Sequence, residues 1–518
     1  MSRAVWGLAA LLPLALLTPL PASAETTPGC APVPVAAPAG AHLESVTAAR
    51  QPGGTLDFPA QFGGPVTDVP AHCEVTVVLS HPGAGDRVTV RLALPETGWT
   101  GRFQALGGSA YLAGAFGPFG RPFAQAVKDG YAAGTTDAGV SPDPLDTSWG
   151  RKADGRLNTG LLTNFASRSA HELAVVGKAV TRAHYGRAAD HSYWNGCSTG
   201  GRQGFAEAQR YPEDFDGILA AAPAVNWTEF GAGTWWPVVV MNQERTFPAD
   251  CVFEEFRKAA VQACDGLDGL RDGIVNRPEH CGYDPRQLVG RTVDCGGKPV
   301  TVTAKDAEVV RKIWDGPRAE HGRALWAGLP KGADFSGLAH TEAGKAPGFA
   351  VAGGWLGTFV APGTDLAKLT YREFAELFRQ SERRFDQVIG TSEPDLSRFR
   401  AAGGKLLSWH GGYDQFVLHQ GTSVAYREAV ERRQPRVDEF YRLFLVPGAP
   451  HCAGGSAPAP VDPLGALVRW VEHGQAPDTL PAAAPDGSQR DLCRYPMVPR
   501  YTGHGDPKAA ASFRCSYF

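Results

Sequence analysis

Apolar and polar residues alternate through "EVTVVLSHPGAGDRVTVRLALP", which starts at Glu74, on either side of Gly83 and Gly85. A period of two is that of a half-buried strand, so this segment predicts a strand pair joined by a turn. Short apolar runs follow at Phe103–Leu106, within Gly130–Gly139, at His191–Gly196, at Ile218–Ala221, at Lys405–Trp409 and at Tyr441–Val446. These read as buried strands, most of them running into glycine-rich loops. Leu173, Val176 and Val180 fall on one face at helical spacing and predict a helix over about Phe165–His184, stopped by Tyr185-Gly186. Ser169 and Glu172 have the spacing of a capping box, and a start nearer Asn164 fits equally well. Further helices are expected in "GRQGFAEAQRYP", ended by Pro212, and over Leu369–Phe385. Strand, helix, strand, turn, helix, strand is an α/β alternation with a mostly parallel sheet.

The alternation breaks between Asn226 and about Ile389, where four cysteines, several tryptophans and glycine-rich loops replace it. This stretch reads as an insertion, or lid. The expected organisation is a signal segment at 1–24, the first part of the core at 25–225, the lid at 226–389 and the second part of the core at 390–518. Residues 25–42, rich in Pro and Ala, read as an extended lead-in, and no internal repeat is visible.

Composition narrows the picture. A chain of 518 residues with 43% hydrophobic and 20% charged positions suits a large globular core with an insertion. A net charge of −3 offers no basic surface, which argues against nucleic acid as a partner. Arg3, the apolar stretch Leu8–Leu17 and the small residues Ala22-Ser23-Ala24 form a secretory signal with cleavage expected after Ala24. A membrane anchor fits less well, because the run is short and contains prolines, and no later segment is apolar enough to span a bilayer. The expected location is therefore extracellular, with no membrane contact after cleavage. Ten cysteines in an exported chain predict up to five disulfides.

The candidate chemistry starts at Gly196-Cys197-Ser198-Thr199-Gly200, a G-x-S-x-G pattern. It places Ser198 as a nucleophile on a tight strand-to-helix turn, although the pattern alone also fits a plain glycine-rich turn. A serine hydroxyl needs a base, and the base needs a partner that sets its tautomer. Asp414 and His451 each follow a predicted strand, at the sheet edge where such folds place catalysis. The order Ser198, Asp414, His451 is that of α/β-hydrolases; His410 is a rival base, and Asp137 or Asp216 a rival acid. Cys197 precedes the serine and Cys452 follows the histidine, so a bond between them would tie nucleophile to base and close a long loop, worth about 5 kcal/mol in the disputed chain-entropy model.

These residues resemble the tannase and feruloyl esterase family. The match rests on Gly196 to Arg202, on Tyr211-Pro212 with Asp214-Phe215-Asp216-Gly217, on Ala222-Pro223-Ala224, on Gly403-Gly404-Lys405, on Gly411 with Asp414, and on His451-Cys452. The resemblance implies a secreted serine esterase with an α/β-hydrolase core, a lid, and a disulfide from nucleophile to histidine. It implies an oxyanion hole made by the N–H of Thr199 and one from Gly107-Gly108, with Gly108 favoured. Asp265, Asp268 and Asp272 lie in a glycine-rich loop that on spacing alone reads as a solvated acidic turn. The resemblance instead implies a structural Ca²⁺ there, with the carbonyls of Leu270 and Ile274 as further ligands. The remaining cysteines are expected to pair as Cys264–Cys281, Cys493–Cys515 and Cys30–Cys73, which leaves Cys251–Cys295.

Trp227, Trp235, Trp236 and Trp355 are expected either to stack on an aromatic acyl group or to form the lid core. Arg245, Arg372, Arg379, Arg383 and Arg384 all lie in the lid, and none stands out as a carboxylate anchor. The partner implied by the resemblance is a small aromatic ester or a phenolic ester on a plant polymer: a feruloyl, galloyl or terephthalate ester. A different serine hydrolase on this fold, and a secreted binding protein without catalysis, are the alternatives.

Overall fold

A computed structural model of the chain describes Met1 and residues 29–319, 322–453 and 455–517. The expected signal segment therefore lies, apart from Met1, outside the described residues. Nine strands form the main sheet: β1 (His42–Gln51), β2 (His72–Ser80), β3 (Val88–Pro95), β4 (Arg102–Leu106), β5 (Ala132–Thr136), β6 (His191–Cys197), β7 (Gly217–Ala221), β8 (Lys405–Gly411) and β9 (Tyr441–Val446). Their order is β1-β2-β3-β5-β4-β6-β7-β8-β9. The first four in that order pair antiparallel, and the rest run parallel. The parallel strands end on one edge, and every candidate catalytic residue follows one of those ends. This is the α/β alternation anticipated from the sequence, in the α/β-hydrolase form that the resemblance implied.

Successive side chains of a strand point to opposite faces. In β9, Tyr441, Leu443 and Leu445 enter one core, while Phe444 and Val446 enter the other. The first core is covered by the helix Ser169–Tyr185, through Leu173, Val176 and Val180, and by the helix Thr199–Arg210, through Phe205. The second is covered by Phe123 and Val127 of the helix Arg121–Lys128 and by Leu467 and Trp470 of the helix Pro463–His473.

The helix expected from Phe165 begins earlier, at Thr159, where the Asn158 side chain caps it by accepting from the Leu161 N–H. A π-helical turn, Asn164–Arg168, interrupts it before Ser169–Tyr185. Ser169 and Glu172 form no capping box. Ser169 donates its hydroxyl to the Asn164 carbonyl, and Glu172 turns inward to His81. Gly186, at φ 73°, closes the helix as expected.

Between β7 and β8 the chain leaves the sheet and builds the helices Trp227–Gly233, Trp236–Glu244, Asp250–Cys264, Ala304–Asp315 and Tyr371–Phe385. The last of these starts on a capping box between Thr370 and Glu373. Trp227, Trp235, Trp236 and Trp355 are all buried in the core of this segment. That core is not self-contained: Tyr111, Trp149, Leu162 and Phe165, which precede β6, pack into it.

The helices Trp227–Gly233 and Tyr371–Phe385 carry Glu229 and Glu382, whose carboxyls interact. Burial first, and then the charges of Glu382 and Asp386, push Glu229 up to about 8. The folded chain thus holds a proton that an unfolded glutamate releases at about 4.3. Stability from this group must fall as pH rises between those two values. Glu229→Gln is expected to flatten that part of the profile of melting temperature against pH and to raise the melting temperature at pH 8. An unchanged slope would remove Glu229 as its cause.

Candidate active site

Ser198 sits between β6 and the helix Thr199–Arg210 with φ 61° and ψ −119°. A non-glycine residue in that region is strained, and such turns expose a nucleophile. The small residues around it follow from close approach. A Cβ on Gly196 would lie 2.4 Å from the Gly200 carbonyl carbon, and one on Gly201 would lie 2.7 Å from the Ala221 carbonyl oxygen. The turn is fixed by backbone bonds: the Ser198 N–H donates to the Ala221 carbonyl, and the Ser198 carbonyl accepts from Ala224.

Asp414 and His451 come together as expected. His451 Nδ1 lies 2.6 Å from Asp414 Oδ2. The other carboxylate oxygen of Asp414 accepts from the N–H groups of Phe416 and Val417, at 2.9 and 2.7 Å. Complete burial alone would raise the Asp414 pKa. The facing His451, with hydrogen bonds from His410 and His451, overrides it and holds this carboxyl well below the usual range. A buried carboxylate that stays ionised is what an imidazolium partner requires. Gln415 adds a contact that sequence reasoning missed: its Oε1 accepts from the His451 N–H at 3.1 Å.

The rival residues each have partners of their own. His410 is fully buried behind Asp414, with Nε2 3.0 Å from Asp414 Oδ2 and 2.8 Å from the Val417 carbonyl, and Nδ1 on Ser423. It supports the acid. Asp137 accepts from the N–H groups of Thr89 and Gly139, and Asp216 accepts from Ser192 at the start of β7, the opposite edge of the sheet.

The structure pairs Cys197 with Cys452, with their Cα atoms 6.0 Å apart across a separation of 255 residues. It also pairs Cys30 with Cys73, Cys251 with Cys295, Cys264 with Cys281 and Cys493 with Cys515. No cysteine is free among the described residues. Cys452 has φ 59°, and Ser198, next to Cys197, has φ 61°.

The glycine loop after β4 docks on the start of the nucleophile helix. Gly200 donates to the Gly108 carbonyl at 2.9 Å, and Thr199 Oγ1 donates to the Ala110 carbonyl at 2.6 Å. The N–H of Thr199, at the first helical position, has no intrahelical acceptor. The Gly108 N–H donates to Gln203 Oε1 at 3.0 Å, and the Gly107 N–H donates to the Asn195 carbonyl at 3.1 Å. Both are committed within the protein, which shifts attention to the next two N–H groups, Ser109 and Ala110. Ala110 has φ 49°, unusual for a residue with a Cβ.

Arg202, one turn past the serine, is fully buried. Its guanidinium donates to the carbonyls of Phe165 and Ala166, which lie in the π-helical turn. It also stacks on Phe165 and Trp227. Burial pushes this guanidinium down to about 9. Arg202 thereby fastens the helix Thr199–Arg210 to the π-helical turn and to the helix that begins at Trp227.

The acidic loop lies next to the catalytic loops. The Val275 N–H donates to the Tyr413 hydroxyl at 2.7 Å, directly beside Asp414 in sequence. Asp265 Oδ1 accepts from the N–H groups of Asp272, Gly273 and Ile274. Asp268 accepts from the Leu270 N–H and from Asn276, and Asp272 from Arg490. Burial, with the charges of Asp272 and Asp265 adding to it, pushes Asp268 up to about 6. Among the described residues these three carboxylates do not close around a common point within one cation's reach.

A family profile described as "Tannase and feruloyl esterase" matches residues 73–516. A probable feruloyl esterase of Arthroderma benhamiae is 46% identical, with 98% of each chain covered. A mono(2-hydroxyethyl) terephthalate hydrolase of Piscinibacter sakaiensis is 32% identical over 86% of this chain and 85% of its own. The solved structure of a tannin acyl hydrolase from Aspergillus niger superposes with a TM-score of 0.83 at 27% identity, covering 94% of this chain and 93% of that one.

If Cys197–Cys452 sets the spacing of nucleophile and base, replacing both cysteines by serine should lower kcat for an ester by about a hundredfold, with a smaller change in KM, since misplacement of about 1 Å costs that much. Equal kcat in a folded variant would show that the backbone holds the spacing alone.

Proposed function

This chain belongs to the tannase and feruloyl esterase family, and on that premise we propose that it is a secreted serine esterase cleaving esters of phenolic or other aromatic acids through Ser198, His451 and Asp414. The enzyme class, carboxylic ester hydrolase, follows from the family; the residue roles and the acyl group are the proposal. The observation that carries it is the 2.6 Å contact of His451 with a fully buried Asp414, in a loop bonded covalently to the residue before Ser198. Ser198 attacks the ester carbonyl while His451 takes its proton. His451 then returns that proton to the leaving alcohol. Water, activated by the same imidazole, releases the acid. Asp414 keeps the ring in one orientation and balances its charge in both steps.

The oxyanion is held by the N–H of Thr199 and by an N–H of Ser109 or Ala110, because those of Gly107 and Gly108 are engaged. An aromatic acyl group is favoured by the surface beside the base. Phe416 meets the His451 ring edge-on, with centroids 5.8 Å apart, and stacks on Phe349 at 5.2 Å. The 32% identity to a terephthalate-monoester hydrolase supports a second substrate reading, in which the acid is terephthalate. Export is favoured by five disulfides, which persist in oxidising compartments.

We propose further that the acidic loop holds a Ca²⁺ through Asp265, Asp268 and Asp272 and the carbonyls of Leu270 and Ile274. The donor set is all hard oxygen, and mutual repulsion among the carboxylates is what a cation would relieve. Bound Ca²⁺ supplies structural charge compensation and takes no part in the reaction. Binding has to draw the three carboxylates together, and Tyr413 carries the loop's position to Asp414.

Methyl ferulate, methyl gallate and mono(2-hydroxyethyl) terephthalate, assayed side by side, should show turnover of at least one. Ser198→Ala should lower its kcat by on the order of 10⁶. Turnover that survives the substitution would reject Ser198 as nucleophile. Chelation should lower the melting temperature by several degrees, with Ca²⁺ restoring it. Asp268→Asn should melt like the chelated protein and ignore Ca²⁺; a variant that still responds would place the ion elsewhere.

A further inference from the structure

At the far end of the nucleophile helix, away from the reactive loops, three side chains from three elements meet. His171 belongs to the helix Ser169–Tyr185, Glu207 to the helix Thr199–Arg210, and Asp214 to the connection into β7. Each offers a donor atom, and these atoms all lie within 4.8 Å of one another. The group is about 13 Å along the helix from Ser198, from nine residues at 1.5 Å each, so it is no part of the catalytic site.

Glu207 is the residue that needs explaining. It is 1% exposed, and neither of its carboxylate oxygens has a hydrogen-bond donor. The nearby cations are engaged elsewhere. Arg210 donates to Ser167 and to the Gln387 carbonyl, and Lys178 sits over the Phe215 ring. Asp214 faces Glu207 with the same sign of charge. Burial first, and then that charge, push the Glu207 carboxyl well above its usual range. A buried carboxylate in this position takes either a proton or a metal cation.

The other two members are set for a metal. The His171 ring stacks on Tyr211 at 4.0 Å and 9°, which fixes its plane. Its Nδ1 lies 2.6 Å from Asp214 Oδ2, and both side chains are only partly buried, which leaves a way in from solvent. One imidazole and two carboxylates, with water completing the shell, are the donors of a first-row divalent cation of the zinc type.

We propose that His171, Glu207 and Asp214 form a Zn²⁺-type site that clamps the nucleophile helix to its neighbouring helix and to the strand β7. The ion takes the place of the hydrogen bond between His171 and Asp214, the neutral imidazole then carrying its proton on Nε2, and it displaces the proton on Glu207, which passes to solvent. Its role is to stabilise this side of the core, and the ester chemistry does not pass through it.

The test uses the full chain, stripped with chelator and returned to buffer containing Ca²⁺, so that the acidic loop is saturated. Titration with ZnCl₂ should show one equivalent bound in calorimetry, proton release that grows as the assay pH falls, and a rise of several degrees in melting temperature. Glu207→Gln and His171→Ala should lose all three responses while keeping their rate on the ester substrate. Asp268→Asn should keep them. Absence of Zn²⁺ binding would overturn the proposal and leave Glu207 and Asp214 as a proton-sharing pair, as would binding that is undiminished in both variants. Should His171→Ala fail to fold, Glu207→Gln alone decides, since the amide keeps the shape of the side chain and removes its charge.

Discussion

Two loops that leave different strands meet over the edge of the sheet because Cys197 and Cys452 are bonded to each other. The parallel register of β6, β7, β8 and β9 already brings their exits to one side. Register sets the side, and the bridge joins the two exits covalently. The surrounding features adjust to that constraint. Glycines at 196, 200 and 201 let the nucleophile helix and its neighbours approach, and Ser198 and Cys452 accept positive φ. Gln415 and Asp414 then hold the histidine from two directions.

Buried charge is handled by neighbouring elements. His81 lies between Asp86 and Glu172, 2.7 and 2.6 Å from them, and joins the first strand pair to the helix that covers it. Arg202 has no carboxylate at all. The π-helical turn Asn164–Arg168 supplies it with carbonyls that a regular helix would have used internally. Breaking any of these contacts leaves a desolvated charge behind, which is costlier than the contact is stabilising.

The legible parts of the fold were those in which local pattern and tertiary role agree. Tyr441–Val446, buried on both faces, is a plain apolar run and falls where the run predicts. The strand His42–Gln51 pairs at the sheet's edge with half-exposed residues, so its pattern is weak and nothing in it announces a strand. Glu172 looked like a cap because spacing cannot reveal His81 waiting across the sheet. The approach of His451 to Asp414 was readable from loop position, since both follow strand ends on one edge of the sheet. The partner of the Gly108 N–H was not readable, because it is Gln203, a side chain from a separate element. Gln415 was hidden for the same reason: its role comes from the distance to a backbone N–H 36 residues later.

The length of the loop closed by Cys197–Cys452 also sets a schedule. The nucleophile's half of the bridge is made 255 residues before its partner. Until Cys452 has been made, Ser198 stands beside a thiol whose partner is absent. The bridge forms only once Cys452 has emerged into an oxidising space, so covalent assembly of the site is among the last events of maturation. A chain interrupted before Cys452 carries a serine that cannot be tethered to its histidine. Closure of the bridge is thus coupled to completion of the chain through Cys452 and to an oxidising environment.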